Sequence, residues 1–185
     1  MINELYPEEV KQFIRVAKWN DGLVPEELGG GTRNNNVCNP PFDLALNTEE
    51  VKEFYKALVN GDLVEMVDAY VDTKFVYYGI LYKLGNLTTS YEAINIDSFK
   101  KTVEDTIYIL KYIRMQLESM YQILYTFEVY TDVLNKAFDI VCEANEQKGT
   151  VKNEYGKTIK GAKWVNPAEA IKKLLDMNGL IWKKK

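Results

Sequence analysis

The stretch Glu49-Glu50-Val51-Lys52-Glu53, read together with Glu65-Met66-Val67-Asp68-Ala69-Tyr70-Val71-Asp72, decides how this chain folds. Residues three or four apart are neighbours on a helix. Glu50 and Glu53 therefore share a face, and so do Glu65, Asp68 and Asp72. Between the stretches, Val59-Asn60-Gly61-Asp62 reads as a short helix-to-helix turn. Two antiparallel helices joined there bring both acid clusters together. Crowded carboxylates repel one another unless a cation sits among them. An all-oxygen site suits Mg²⁺ or Mn²⁺, and that points to phosphate chemistry.

Outward from this pair, the pattern stays helical. Thr48 reads as an N-cap with acids in the turn that follows, and the helix runs to about Val59. The next helix begins near Asp62 and ends near Leu84, with Gly85 as its C′ glycine. It is apolar on most sides after Asp72, so that half is expected to be buried, with Asp68 and Asp72 close to the core. A buried carboxylate requires a partner or a metal. Upstream, Pro7 to Asn20 fits an amphipathic helix, and residues 21–41 read as a Gly-, Asn- and Pro-rich loop. Downstream, Asp97 to about Tyr130 is a long helix with an apolar ridge over 107–127, read as exposed and available for association. Thr131 to Asn145 follows, either as a separate helix or as the continuation of one bent helix. The segment 150–164 is polar and irregular or a short hairpin, and Pro167 to Asn178 forms a last helix before Gly179. The whole reads as a single all-α domain spanning 1–185.

Composition narrows the chemistry. The 185 residues suffice for one domain with a real core, and 46% hydrophobic with 27% charged residues is ordinary for a soluble globular protein. No apolar run approaches the roughly 20 residues of a membrane span, and no secretory signal is visible. A net charge of −4 argues against a nucleic-acid polymer as partner. Cys38 and Cys142 fit neither a zinc pattern nor a disulfide framework, which suggests the cytoplasm. The chain has no histidine, so Ser-His and Cys-His nucleophile systems and His-ligated zinc are excluded. Acid–base work falls to carboxylates, Lys, Tyr or a water activated by a metal.

The ordered series of motifs resembles a known family. Glu49-Glu50-Val51-Lys52-Glu53 has the form E-E-x-x-E, and Asp68-Ala69-Tyr70-Val71-Asp72 is followed by the Tyr-rich stretch Phe75-Val76-Tyr77-Tyr78-Gly79. Further on come Asn145-Glu146-Gln147-Lys148 and Gly156-Lys157-Thr158-Ile159-Lys160-Gly161, then Trp164 and Pro167. Together these are similar to the MazG-like all-α nucleoside triphosphate pyrophosphohydrolases, in particular their phage-type, phosphoribosyl-ATP-pyrophosphohydrolase-like branch. Two departures stand out. Ala69 occupies a position where the family has an acid, so the second motif reads either as Glu65/Asp68 or as Asp68/Asp72. The segment 97–130 is an addition to the family's plan.

The resemblance implies a Mg²⁺-dependent (or Mn²⁺-dependent) hydrolase that cleaves a nucleoside triphosphate between the α and β phosphates, releasing monophosphate and pyrophosphate. It implies Glu50, Glu53, Asp68 and Asp72 as metal ligands, with Glu49 or Glu65 orienting the attacking water. Lys148, with Lys157 or Lys160, would meet the outer phosphates, and Asn145 would hydrogen-bond sugar or phosphate. Trp19, or a tyrosine of the 77–82 stretch, would stack on the base. It also implies a homodimer or homotetramer in the cytoplasm, the host's own if the protein is phage-encoded. Each assignment has a plainer rival. Glu49, Glu50 and Glu53 also suit a solvated helix start, and Lys56 or Lys74 could pair with Asp68 and Asp72 as structural salt bridges. Ala69 motivates the alternative of a catalytically inactive protein that sequesters a nucleotide signal, and a purely helical interaction module is a third reading.

Overall fold

The computed structural model describes residues 5–20, 38–87, 96–148, 160 and 164–180. Among them are six helices and no strand: α1 (Pro7–Asn20), α2 (Pro40–Asn60), α3 (Leu63–Leu87), α4 (Ile96–Thr126), α5 (Thr131–Glu146) and α6 (Ala168–Met177). The all-α expectation holds. The hairpin proposed near 150–164 falls largely outside the described residues.

Helix α3 is the central rod and touches every other helix. Its sequence explains this position, because side chains on several of its faces, among them Met66, Val67, Val71, Tyr78 and Ile80, are buried. The α2–α3 turn forms as the sequence predicts. Gly61 takes a left-handed conformation (φ 66°) that favours glycine. The Asp62 N–H reaches back to the Ala57 carbonyl at 2.9 Å. The Asp62 side chain then accepts from the Glu65 N–H at 3.2 Å, capping α3.

Two boundaries differ from expectation. Helix α2 starts at Pro40 rather than after Thr48, because Asn39 caps it through the Phe42 N–H (3.4 Å) and two prolines fill its first positions. Thr48 is therefore internal, and its hydroxyl donates to the Leu44 carbonyl at 2.7 Å. Helix α3 runs through Gly85 to Leu87, since its packing outweighs the weak helix propensity of one glycine. Of the two readings of the downstream segment, separate helices is the one that forms, with a break at 127–130 where Glu128 adopts φ 63°.

The apolar ridge of α4 is not exposed. Leu110, Ile113, Leu117, Met120 and Leu124 are buried in the common core with Phe54, Tyr78, Phe138 and Ile171. Its outward side instead carries Tyr108, Tyr112 and Met115. Helix α1 is held to α5 by Arg15, whose guanidinium donates twice to Glu146 (2.8 and 3.2 Å) and once to Asp139 (3.0 Å). Among the described residues, no helix is long and apolar enough to cross a membrane.

Candidate functional site

All six acids of the two motifs line one cavity of about 330 Å³. Glu49, Glu50 and Glu53 come from α2, and Glu65, Asp68 and Asp72 from α3. Helical periodicity sets Glu65, Asp68 and Asp72 along one face of α3, and the Gly61 turn folds the α2 acids against them. Both readings of the second motif place their acids here, since Glu65, Asp68 and Asp72 all line the cavity, whereas Ala69 is buried in the core. The opposite wall comes from the end of α5 and the chain before α6, with Asn145, Lys148, Lys160, Trp164 and Asn166. Of the residues expected to meet substrate, Asn145 and Lys148 line this cavity, and Lys157 lies outside the described residues.

Burial separates the acids. Glu49, Glu53 and Glu65 are exposed, while Glu50, Asp68 and Asp72 are half-buried. Burial, with Asp62 and Glu53 nearby, raises the Glu65 pKa. Asp68 is the extreme case. Its Oδ1 is buried and has no hydrogen-bond partner. Burial first, then Asp72, Glu65 and Glu53, push its pKa up to about 8, with Lys148 opposing them. Lys74, a candidate structural partner for these acids, instead lies 5.9 Å from the Tyr78 ring centroid with Glu8 and Glu9 in its field.

The donor set fits a hard divalent cation in chemistry: all oxygen, strongly acidic, with one buried carboxylate oxygen lacking a partner. Among the described residues, however, no three acidic or cysteine side chains are arranged to hold a metal ion. The acids share a cavity without closing on one point. Binding a cation here requires side-chain rotation of the kind long, exposed Glu residues make readily.

A second cavity, of about 140 Å³, adjoins the first, and Glu50, Asp72, Asn145 and Lys148 line both. Its walls are largely apolar, from Phe42, Leu46, Phe75, Val76 and Ile80, with Gly79 leaving room on α3. Trp19 belongs to this wall. Its indole N–H donates to the Asn145 carbonyl at 2.9 Å, and its ring meets Phe75 edge-to-face at 5.3 Å. Trp19 is thus a fixed edge of the apolar cavity. The tyrosines of 77–82 turn elsewhere: Tyr77, Tyr78 and Tyr82 are buried, and the first two belong to the core.

Two residues of the second cavity were not anticipated from sequence. Asp43 and Lys83 form an ion pair of 2.6 Å in its wall, with Asp43 fully buried. Their register carried a signal, since Asp43 lies two helical turns before Glu50 and Lys83 three turns after Asp72, each on the cavity-facing stripe.

Residues 43–95, which include most of the α2–α3 hairpin, match the family model for phosphoribosyl-ATP pyrophosphohydrolase. That family belongs to the MazG-like all-α NTP pyrophosphohydrolase superfamily, and its members are hydrolases, generally dependent on divalent metal. No curated protein and no solved structure matches the chain.

Proposed function

We propose that this protein is a Mg²⁺-dependent nucleoside triphosphate pyrophosphohydrolase that cleaves between the α and β phosphates. The observation that carries the reading is the shared wall of the two cavities. One is acidic and the other is apolar, and Glu50, Asp72, Asn145 and Lys148 line both. A nucleotide has the same two-part character, a flat ring joined to a polyphosphate. Ring and sugar would occupy the apolar cavity, where a few polar groups among aromatic and aliphatic walls suit a small ligand. The α-phosphate would then lie beside the shared residues.

An acidic cavity repels a polyphosphate, so a cation has to come with the substrate. Glu50, Glu53, Asp68 and Asp72 would hold it, and when bound it neutralises charge on the phosphates and leaving pyrophosphate. The chain's own groups supply the rest. Lys148 offers a positive charge at the junction of the cavities. Asn145, held through its backbone by Trp19, presents an amide to sugar or phosphate. Glu49 and Glu65, exposed at the rim, are the carboxylates able to orient a water and accept its proton. A cytoplasmic homodimer or homotetramer is the setting this reading adopts.

The rival reading, nucleotide binding without turnover, draws its support from the spread of the carboxylates. Its other motive weakens, because Ala69 packs in the core. A panel of canonical and modified nucleoside triphosphates with Mg²⁺, assayed for paired release of monophosphate and pyrophosphate, decides between them. Tight binding with no product from any member of the panel would establish the rival.

A further inference from the structure

A charged pair sits in the largely apolar wall of the smaller cavity. Lys83 Nζ donates to Asp43 Oδ1 at 2.6 Å, and both side chains line the cavity beside Phe42, Leu46, Val76 and Ile80. A buried ion pair seldom stabilises a fold more than well-packed hydrophobic residues would. Its place in the wall of a ligand-sized cavity therefore points to recognition. Asp43 is closed off at 1% exposed, and its other oxygen accepts from the Asn39 N–H at 3.3 Å. Lys83 is 12% exposed, and an ammonium has three N–H donors and no acceptor. Asp43 takes one of those donors, so Lys83 is held as a group that can give hydrogen bonds and receive none.

Position along the helices says which part of a nucleotide meets the pair. Lys83 lies three helical turns past Asp72 on α3, and Asp43 two turns before Glu50 on α2. Asp72 and Glu50 belong to the shared wall beside which the α-phosphate is placed, so the pair meets the base edge turned away from the sugar. Asn20, also in this wall, stands one turn away: its Nδ2 donates to the Val16 carbonyl at 2.8 Å and lies 3.9 Å from where a Cβ on Gly79 would be, four residues before Lys83. That bond orients the amide and leaves Oδ1 as its acceptor. A base edge with a carbonyl next to an N–H complements this donor and acceptor. An edge with an amino group next to a bare ring nitrogen opposes them, because the amino N–H would face an ammonium that cannot accept. Size adds a second criterion: the cavity of about 140 Å³ is close to the roughly 150 Å³ that holds a benzene ring, so it suits one six-membered ring.

We propose that the apolar cavity selects a 4-oxo pyrimidine, uracil or thymine. Lys83 is the donor to the 4-oxo group, Asn20 Oδ1 accepts from the ring N–H, and Asp43 positions Lys83. This deepens the function proposed above and rests on its placement of the base in the apolar cavity. It departs from the substrate in the matched family's name, since phosphoribosyl-ATP carries adenine.

The test is calorimetric titration of the full chain, in Mg²⁺, with the 5′-monophosphates of deoxyuridine, thymidine, deoxycytidine, deoxyguanosine and deoxyadenosine. All of them carry the same phosphate, so differences in affinity report the base. An amino group facing a buried ammonium predicts that the cytosine nucleotide binds about ten-fold or more weakly than the better of the uracil and thymine nucleotides. Both purine nucleotides are expected to bind more weakly as well. The double change Asp43→Asn with Lys83→Met removes the donor without stranding a charge, and should erase the preference over cytosine. A cytosine, guanine or adenine nucleotide that binds as tightly as the better 4-oxo pyrimidine overturns the assignment. So does a preference that persists in the folded double variant, or wild-type protein that binds none of the series. The wild-type series decides even where the double variant does not fold. The predicted preference in a protein that turns over no triphosphate leaves the assignment standing and removes only the hydrolase reading. Turnover of triphosphates with no base preference in binding does the reverse.

Discussion

Lys83 Nζ lies 2.6 Å from Asp43 Oδ1, joining the last part of α3 to the first turn of α2 in the wall of the apolar cavity. The Asp43 side chain is 1% exposed and that of Lys83 12%. The second Asp43 oxygen accepts from the Asn39 N–H at 3.3 Å, next to the helix start. Removing one partner of such a pair leaves a buried charge and costs about 3–5 kcal/mol. Lys83→Met is expected to destabilise by that amount. The double change Asp43→Asn with Lys83→Met should cost much less than the sum of the single changes. Urea unfolding of the full double-mutant cycle measures this, and additive costs would show that the two side chains do not act as a pair.

Asp68 makes stability depend on pH in the metal-free protein. Its pKa rises from an ordinary 3.8 to about 8, so the folded state keeps a proton that the unfolded chain releases. That contribution is complete below the ordinary value and is lost as pH rises through about 8. Glu65, shifted in the same direction, adds to the trend. The urea midpoint in chelator should fall between mildly acidic and mildly alkaline pH, and Asp68→Asn should flatten the fall. A cation competes with this proton, so Mg²⁺ should stabilise more at the alkaline end. An unchanged pH profile in Asp68→Asn would place the source of the dependence elsewhere.

Gly79 separates stability from ligand binding. A Cβ built there would meet Asn20 Nδ2 at 3.9 Å, an ordinary contact. Glycine inside a helix is less stable than alanine by about 0.5–1 kcal/mol, so Gly79→Ala should raise the melting temperature. Gly79→Leu should keep the fold but fill the apolar cavity, which measures about 140 Å³. Nucleotide binding by this variant, followed by calorimetry, should weaken sharply while inorganic pyrophosphate binding is kept. Equal loss of both ligands would argue that the cavities do not divide the substrate as proposed.

Trp19 holds Asn145 through its backbone carbonyl, which also accepts from the Lys148 N–H at 3.0 Å. Trp19→Phe removes the first of these bonds at a cost of about 1 kcal/mol. Because Asn145 and Lys148 line both cavities, the predicted kinetic effect is a higher KM with little change in kcat. A fall in kcat alone would mean that Trp19 acts on the reacting groups rather than on substrate placement.

The α2–α3 hairpin and the meeting of its acids were legible in sequence because both depend on local rules. The 3.6-residue period sets Glu65, Asp68 and Asp72 on one face, and Gly61-Asp62 makes the turn. The start of α2 was misread because Asn39-Pro40-Pro41 also has the composition of a loop, although it is an N-cap followed by first-turn prolines. Periodicity identified the apolar ridge of α4 but not what covers it, since a ridge facing a core and one facing a partner have the same spacing. The Asp43–Lys83 pair and the partnerless Trp164 nitrogen were out of reach for a related reason. Both are consequences of packing between segments distant in sequence.

The central claim is that these carboxylates act through a divalent cation on a nucleotide. Pyrophosphate release from the best substrate of the triphosphate panel, followed across a Mg²⁺ titration in wild type, Glu53→Gln and Asp72→Asn, tests it most directly. The account predicts turnover that rises with Mg²⁺, disappears in chelator and is lost in both variants while their folds persist. Turnover that survives in chelator, or that is undiminished in Asp72→Asn, would contradict it.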